Sequence, residues 1–257
     1  MTQPATAEGS GAMFDAIAAR YDTLNRILSL GLDRGWRRAL VDALALPPGA
    51  RVLDVATGTA DVALAIARRH PDASVIGLDP SPAMLGVARR KLAEAGLTAR
   101  VTLREGDAQA LPFEEGSFDA VTIAFGIRNV PDRTRGLAEM ARVLRPGGRL
   151  VVLELGEPRD GWLGVPVRFH IRQVVPRLGA LLSGAREYRY LQRSVSAFPP
   201  PPQFAALLAT AGLEAEPPRS LAFGAAHLYV AHKPGLTPEG SAPLSWRCPT
   251  APPRNGS

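Results

Sequence analysis

Cysteine is almost missing: Cys248 is the only one in 257 residues. A single thiol closes no internal disulfide and builds no cysteine-ligated metal centre, so a disulfide scaffold and a zinc ribbon are both excluded. Long apolar runs are missing too. Stretches such as Leu150 to Leu153 stop far short of the roughly 20 residues that a membrane-spanning helix needs. The first residues, Met1-Thr2-Gln3-Pro4-Ala5-Thr6, bring neither a basic residue nor an apolar core. Neither a secretory signal nor an Arg-rich transit peptide is therefore expected, and a cytoplasmic location is the default. Lysine is scarce, with only Lys91 and Lys233 among 30 basic residues, and asparagine is reduced to Asn25, Asn129 and Asn255. Abundant Arg, Ala, Gly and Pro beside scarce Lys and Asn is the composition of a GC-rich genome. The net charge of +6 and pI near 10.2 are thus poor grounds for a nucleic-acid partner.

What is present suits one compact domain: 46% hydrophobic and 21% charged residues. Residues 1–11 and 234–257 hold little periodic apolar content, the latter being rich in proline, and both are expected to be disordered. The folded domain is expected over 12–233. Met13, Ile17, Tyr21, Leu24 and Leu28, then Trp36, Leu40, Val41 and Leu44, recur at helical spacing and predict two helices ahead of a sheet. From Arg51 the texture becomes short apolar runs alternating with helical periods, the pattern of βα units in a parallel sheet. Strands are expected at 51–56, 74–78, 101–103, 118–123 and 149–155, the fifth after a Pro146-Gly147-Gly148 turn. Residues 156–195 interrupt the alternation, 203–211 form a helix closed by Gly212, and 213–222 with 226–232 supply a terminal antiparallel pair. The expected fold is α/β, a doubly wound, mostly parallel seven-stranded sheet with N-terminal helices and a helical insertion after strand five.

The first strand ends in Asp54-Val-Ala-Thr-Gly58-Thr59-Ala60-Asp61 and runs directly into a helix, where such a sheet opens its ligand crevice. Gly58 admits a ligand close to the backbone, and the helix start offers free N–H groups. Strand two ends in Asp79, placed to accept hydrogen bonds from two ribose hydroxyls. A tight turn beside a solvated carboxylate would show the same pattern without any ligand. The loop lacks the G-x-G-x-x-G of a pyrophosphate site, and Asp54 and Asp61 would repel phosphate. They suit a cationic nucleoside, and S-adenosylmethionine carries both an ammonium and a sulfonium. Asp107 and Ala108 follow strand three, where an acceptor side chain and apolar neighbours can receive an adenine. Strand four ends in Phe125-Gly-Ile-Arg128-Asn129, a cation and an amide together at the carboxyl edge of the sheet.

These residues resemble a known family. Arg51-Val-Leu-Asp-Val-Ala-Thr-Gly-Thr59, Asp79, Gly106-Asp107-Ala108, Leu111-Pro-Phe113 and Arg142-Val-Leu-Arg-Pro-Gly-Gly-Arg149 are similar to class I S-adenosylmethionine-dependent methyltransferases, whose fold is Rossmann-like. Tyr21-Asp-Thr-Leu-Asn25 through Trp36, and Gly126-Ile-Arg128-Asn129, resemble more narrowly the C-methyltransferases of ubiquinone and menaquinone biosynthesis. The likeness spans about 13–215 and includes Val175-Pro-Arg-Leu-Gly179 and Tyr188-Arg-Tyr-Leu191. It departs at Ala60 for a glycine, Asp33 for a histidine, Leu24 for a methionine and Ala124 for a serine-like residue. It departs again at Leu155-Gly156, Arg193-Ser-Val-Ser196 and Gly224 to Tyr229. Alanine in a left-handed conformation would cost about 1–2 kcal/mol, so ordinary helical dihedrals are expected at Ala60.

The resemblance implies S-adenosylmethionine held by Asp54, Gly58, Thr59, Asp79, Asp107, Ala108 and Ala124, and no metal. It implies C-methylation of a prenylated quinol, demethylmenaquinol to menaquinol or the equivalent benzoquinol step, with Arg128, Asn129 and Tyr21 at the acceptor. A cation beside the quinol oxygen lowers its pKa and holds the charge as the methyl group transfers. The prenyl tail, with six arginines against Glu187 alone over 161–193, is compatible with reversible contact of this insertion with a membrane surface; an amphipathic helix packed on the sheet with a solvated basic face would show the same residues. A homodimer is compatible; nucleic acid is not expected. Two other readings stay open: methylation of a different phenolic metabolite, and a non-catalytic nucleoside-binding subunit. Arg128 and Asn129 turned into the crevice favour an enzyme; turned to solvent, they favour the accessory subunit.

Overall fold

The computed structural model describes residues 15, 18–29, 31–156 and 185–235. The expectations for residues 1–11, for 157–184 of the insertion and for 236–257 lie outside the described residues.

Two helices lead the sheet, α1 (Tyr21–Leu28) and α2 (Asp33–Ala43). Then β1 (Arg51–Val55), α3 (Asp61–Arg69), β2 (Ser74–Asp79), α4 (Pro82–Glu94) and β3 (Val101–Glu105) make the first half. The second half holds β4 (Phe118–Ala124), a 3₁₀ turn (Ile127–Asn129), α5 (Arg133–Val143) and β5 (Leu144–Leu155). After these come α6 (Ala185–Ser196), α7 (Pro201–Thr210), β6 (Glu214–Ala215), β7 (Arg219–Leu221) and β8 (Ala226–His232). The strand order is β3-β2-β1-β4-β5-β8-β6, with β7 also on β8. All pairs from β3 to β5 are parallel and those of β8 antiparallel. Both β6 and β7 lie along the edge of β8 away from β5, divided at Pro217-Pro218. Eight strands among the described residues therefore fill seven positions, the proline pair interrupting the ladder between β6 and β7.

Alternation along the strands decides which layer covers which face. Val52, Val151 and Leu153 turn to one face with Leu40 and Val41 of α2, Ile66 of α3 and Leu92 of α4. Leu53, Val55, Leu150 and Val152 turn to the other with Leu137 and Met140 of α5 and Phe204 of α7. Ser81 caps α4 by accepting from Met84 N at 3.1 Å, with Pro82 in the first turn.

Two expectations are corrected. The Pro146-Gly147-Gly148 turn does not precede β5 but bulges out of it, because Phe118 pairs with Leu144 and the register then jumps to Ala120 with Arg149. Gly147 N and Gly148 O remain bonded to Lys233 at 2.9 Å, so the bulge is tied to the chain beyond β8. Ala60 does not have helical dihedrals: it sits at φ 64°, ψ 25°, left-handed, as the N-cap of α3.

Candidate active site

The order of strands reverses between β1 and β4, and the crevice at their carboxyl ends is where a doubly wound sheet binds ligands. The backbone there is strained: Ala56, Ala60 and Phe125 are left-handed at φ 51°, 64° and 56°, and Gly58 lies among them at 55°. Left-handed non-glycine residues cluster at functional sites because the surrounding packing has to hold them. Gly77 of β2 makes room for this loop, since a Cβ there would stand 2.9 Å from Thr57 Oγ1.

Asp54 is buried at the end of β1 and accepts from Thr57 Oγ1 at 2.6 Å and Thr122 Oγ1 at 2.7 Å. Burial pushes its carboxyl up to about 6, against the pull of the two threonine hydroxyls. Asp79, at the end of β2, accepts from Gly58 N at 2.8 Å and Ser81 N at 2.9 Å. Desolvation raises its pKa as well, and the two backbone donors oppose the rise. A carboxylate has about four acceptor positions, so Asp79 keeps capacity for two ribose hydroxyls. Ala108 is buried after β3. Asp107 accepts locally from Gln109 N at 2.9 Å and from the Gln109 amide.

Tyr21, Asp54, Gly58, Thr59 and Ala124 line one small cleft, of about 30 Å³, with Arg37, Asp61 and Phe125. The Thr59 hydroxyl is engaged by the N-terminal helix: it donates to Asp22 Oδ1 at 2.6 Å and accepts from Lys91 Nζ at 3.2 Å. Lys91 also pairs with Asp22 at 2.8 Å and with Asp61. Asp33, the departure in the N-terminal signature, is buried and pairs with Arg37, which lies 3.6 Å from Asp61. A larger groove of about 830 Å³ runs between α2, α3 and α4 with a mainly charged lining. Arg37 and Asp61 line both it and the small cleft.

Arg128 and Asn129 occupy the 3₁₀ turn directly after β4. The Arg128 side chain is 8% exposed. Its Nη1 donates to Phe125 O and to Glu154 Oε1, each at 2.6 Å. Its Nε is buried with no hydrogen-bond partner among the described residues. Asn129 Oδ1 accepts from the Tyr190 hydroxyl of α6 at 3.1 Å. Burial raises the Tyr190 pKa, while the charges of Arg128 and Arg133 draw it down.

Of the residues expected from the sequence, Asp54, Gly58, Thr59 and Ala124 share the cleft with Tyr21, which was expected at the acceptor instead. Asp79, Asp107 and Ala108 are not part of its lining, and Arg128 and Asn129 sit in the turn beyond β4. Glu154, Tyr190, Asp22 and Lys91 were not named as site residues. Lys91 did carry a signal: it is one of only two lysines, in a sequence whose composition disfavours lysine. Glu154 had no local signal, because its partners arrive through the pairing of β4 with β5.

A crevice at the carboxyl ends of β1 and β4, with Asp79 buried at the end of β2 and no G-x-G-x-x-G loop, on a sheet of this order, has the plan of a methyltransferase-type α/β domain. Solved structures share it. A putative S-adenosyl-L-methionine-dependent methyltransferase from Methanococcus maripaludis superposes with a TM-score of 0.64 at 16% identity, over 92% of this chain and 99% of that one. The putative methyltransferase in complex with the Haloferax volcanii Trm112 activator gives 0.63 at 20%, over 86% and 97%. The model of the ubiE/COQ5 methyltransferase family matches residues 3–233, and the chain belongs to that family. It is 51% identical over 223 residues to a demethylmenaquinone methyltransferase of Deinococcus radiodurans, covering 86% of this chain and 91% of that protein. It is 49% identical to a demethylmenaquinone methyltransferase of Thermus thermophilus, covering 86% and 100%. A ubiquinone/menaquinone biosynthesis C-methyltransferase of Geobacter sulfurreducens is 46% identical, over 86% and 87%.

Proposed function

We propose that this protein uses S-adenosylmethionine to C-methylate a prenylated quinol, demethylmenaquinol being the acceptor that its relatives' names favour. The observation that carries the acceptor role is Arg128: a buried guanidinium fixed at Nη1, with an unpartnered Nε, at the carboxyl end of β4. A buried N–H without a partner costs about 1–3 kcal/mol, and an acceptor oxygen on the substrate would relieve that cost.

The donor set fits a cationic nucleoside. Asp79 takes the ribose, Gly58 lets the ligand approach the backbone, and Ala108 and Asp107 receive the adenine end. Ala124 and Thr59 wall the cleft, and Asp54 faces the ammonium. When bound, the cofactor supplies an electrophilic methyl group on a sulfonium. Arg128 holds the acceptor hydroxyl by the Nε–Nη2 edge of its guanidinium and stabilises the oxyanion that makes the adjacent ring carbon nucleophilic. Arginine stays protonated and takes no proton itself, so the hydroxyl proton leaves to water; once the methyl group has passed from sulfur to the ring carbon, that carbon gives up its own hydrogen as a proton and the oxygen regains one, which restores the aromatic quinol with one proton released overall. Asn129, oriented by Tyr190, and Tyr21 from α1 complete the wall around the ring. The substrate's tail calls for contact with a bilayer surface, and no helix among the described residues is long and apolar enough to cross one.

The test is methyl transfer from labelled S-adenosylmethionine to a short-chain demethylmenaquinol kept reduced, with the methylated ring position read by mass spectrometry. A new ring C-methyl is expected; transfer only to oxygen, or none with cofactor bound, would refute the reading. Arg128→Ala should lower kcat about 100-fold or more with the cofactor Kd unchanged. Asp79→Ala should instead weaken cofactor binding by about 2 kcal/mol or more, read by calorimetry.

A further inference from the structure

Glu154 is completely buried at the carboxyl end of β5, and three donors converge on its two oxygens. Oε1 accepts from Arg128 Nη1 at 2.6 Å and from Leu155 N at 2.8 Å; Oε2 accepts from Arg128 N at 3.2 Å. With N–H groups at both oxygens, only an acceptor-only group satisfies the site. A glutamine would turn its NH₂ against a donor in either orientation.

The grip on Arg128 is double, on its backbone N–H and on its guanidinium. Nη1 is used twice, by Glu154 of β5 and by Phe125 O just beyond β4, which fixes the plane of the guanidinium by two points. The edge of the fork left over is Nε with Nη2, and Nε is the buried donor without a partner. A counter-ion that merely neutralised the charge would take any edge; this one takes the edge away from Nε.

We infer that Glu154 is the positioning residue of the acceptor site. It presents the Nε–Nη2 edge of Arg128 to the acceptor oxygen, and its charge sets how strongly Arg128 acidifies that hydroxyl. The inference rests on the quinol reading above. Paired with a carboxylate, Arg128 stabilises the oxyanion mainly by directed hydrogen bonds. Unpaired, it would act as a bare, poorly aimed charge.

The test is a kinetic double-mutant cycle on the full chain with reduced short-chain demethylmenaquinol, using Glu154→Gln, Glu154→Asp, Arg128→Ala and the Arg128→Ala, Glu154→Gln double variant. Glu154→Gln should lower the plateau kcat about tenfold or more through misorientation, with the cofactor Kd unchanged. It should also move the rising limb of the pH–kcat profile down by about one unit, because the acceptor hydroxyl then meets an uncompensated cation. Glu154→Asp keeps the charge, so its limb should stay where the wild type has it. On the Arg128→Ala background, Glu154→Gln should cost less than about twofold further, because Glu154 acts through Arg128. Multiplying losses in the double variant, or an unmoved limb with kcat within about twofold of wild type, would overturn the positioning role. Should Glu154→Gln not fold, the Glu154→Asp profile and an Arg128→Ala, Glu154→Asp double variant decide it by the same non-additivity. A wild type that turns over no quinol would refute the quinol reading itself, and the role built on it.

Discussion

Asp54 carries opposite consequences for stability and for binding. Its carboxyl titrates near 6 in the folded chain against 3.8 as the unperturbed value, because burial disfavours its charge. Between those values the folded chain holds a proton that the unfolded chain has released. Asp54 therefore makes stability fall as pH rises through that window and level off above about 6, by about 3 kcal/mol at most. A cofactor ammonium favours the carboxylate, so binding below about pH 6 must expel the proton. Calorimetry in buffers of different ionisation enthalpy should show most of a proton released at about pH 5.5 and almost none at about pH 7.5, with Kd weakening below about 6. Equal proton counts at the two pH values would show that Asp54 does not face the ammonium. Asp54→Asn should flatten the stability profile across about pH 4–6, measured by thermal unfolding, while weakening cofactor binding.

The left-handed turn from β1 into α3 shows how far an element can be read from its letters. Alanine at φ 64° costs about 1–2 kcal/mol. Two terms offset that cost. The Ala60 methyl is fully buried, worth about 0.8 kcal/mol, and alanine leaves the unfolded chain less entropy than glycine, worth about 0.4–1 kcal/mol. The sums nearly cancel, so Ala60→Gly should change stability by less than about 0.5 kcal/mol in denaturant unfolding. Ala60→Val, β-branched in the same conformation, should cost about 2 kcal/mol or more. The βα alternation and the antiparallel end were legible because local period and turn chemistry carry them. The dihedrals of Ala60 were not, because two opposing terms of like size leave no preference in the residue type. The bulge in β5 was hidden for a related reason: Pro146-Gly147-Gly148 reads as a turn, and only pairing with β4 and Lys233 keeps the strand running through it. Glu154 and Tyr190 were illegible because their meaning lies in partners 26 and 61 residues away.

Across the described residues, the two halves of the sheet are covered by segments far apart in the sequence. Beside β1 and β2, over the proposed cofactor site, the N-terminal segment is tied down by Asp15 on Ser81 Oγ at 2.5 Å and by Asp22 on Thr59 and Lys91. The cleft of about 30 Å³ that Thr59 lines has room for roughly one water, so a nucleoside is expected to enter as those ties open and close again. Beyond β4, at the proposed acceptor site, α6 reaches back to Asn129 through Tyr190, and Arg133 stacks on Phe198 at 5.5 Å. If the two covers act independently, substitutions in them must separate cofactor from acceptor binding. Lys91→Met leaves Asp22 and Asp61 without their shared cation. It should weaken cofactor binding about five- to tenfold, loosen hydrogen-exchange protection of residues 18–29, and leave acceptor KM nearly unchanged. Tyr190→Phe removes one hydroxyl from Asn129. It should raise acceptor KM or lower kcat by about fivefold with cofactor affinity intact. Calorimetry for the cofactor and steady-state kinetics for the acceptor make the comparison. Both variants moving both ligands together would mean that the two covers close as one body over a single joint site.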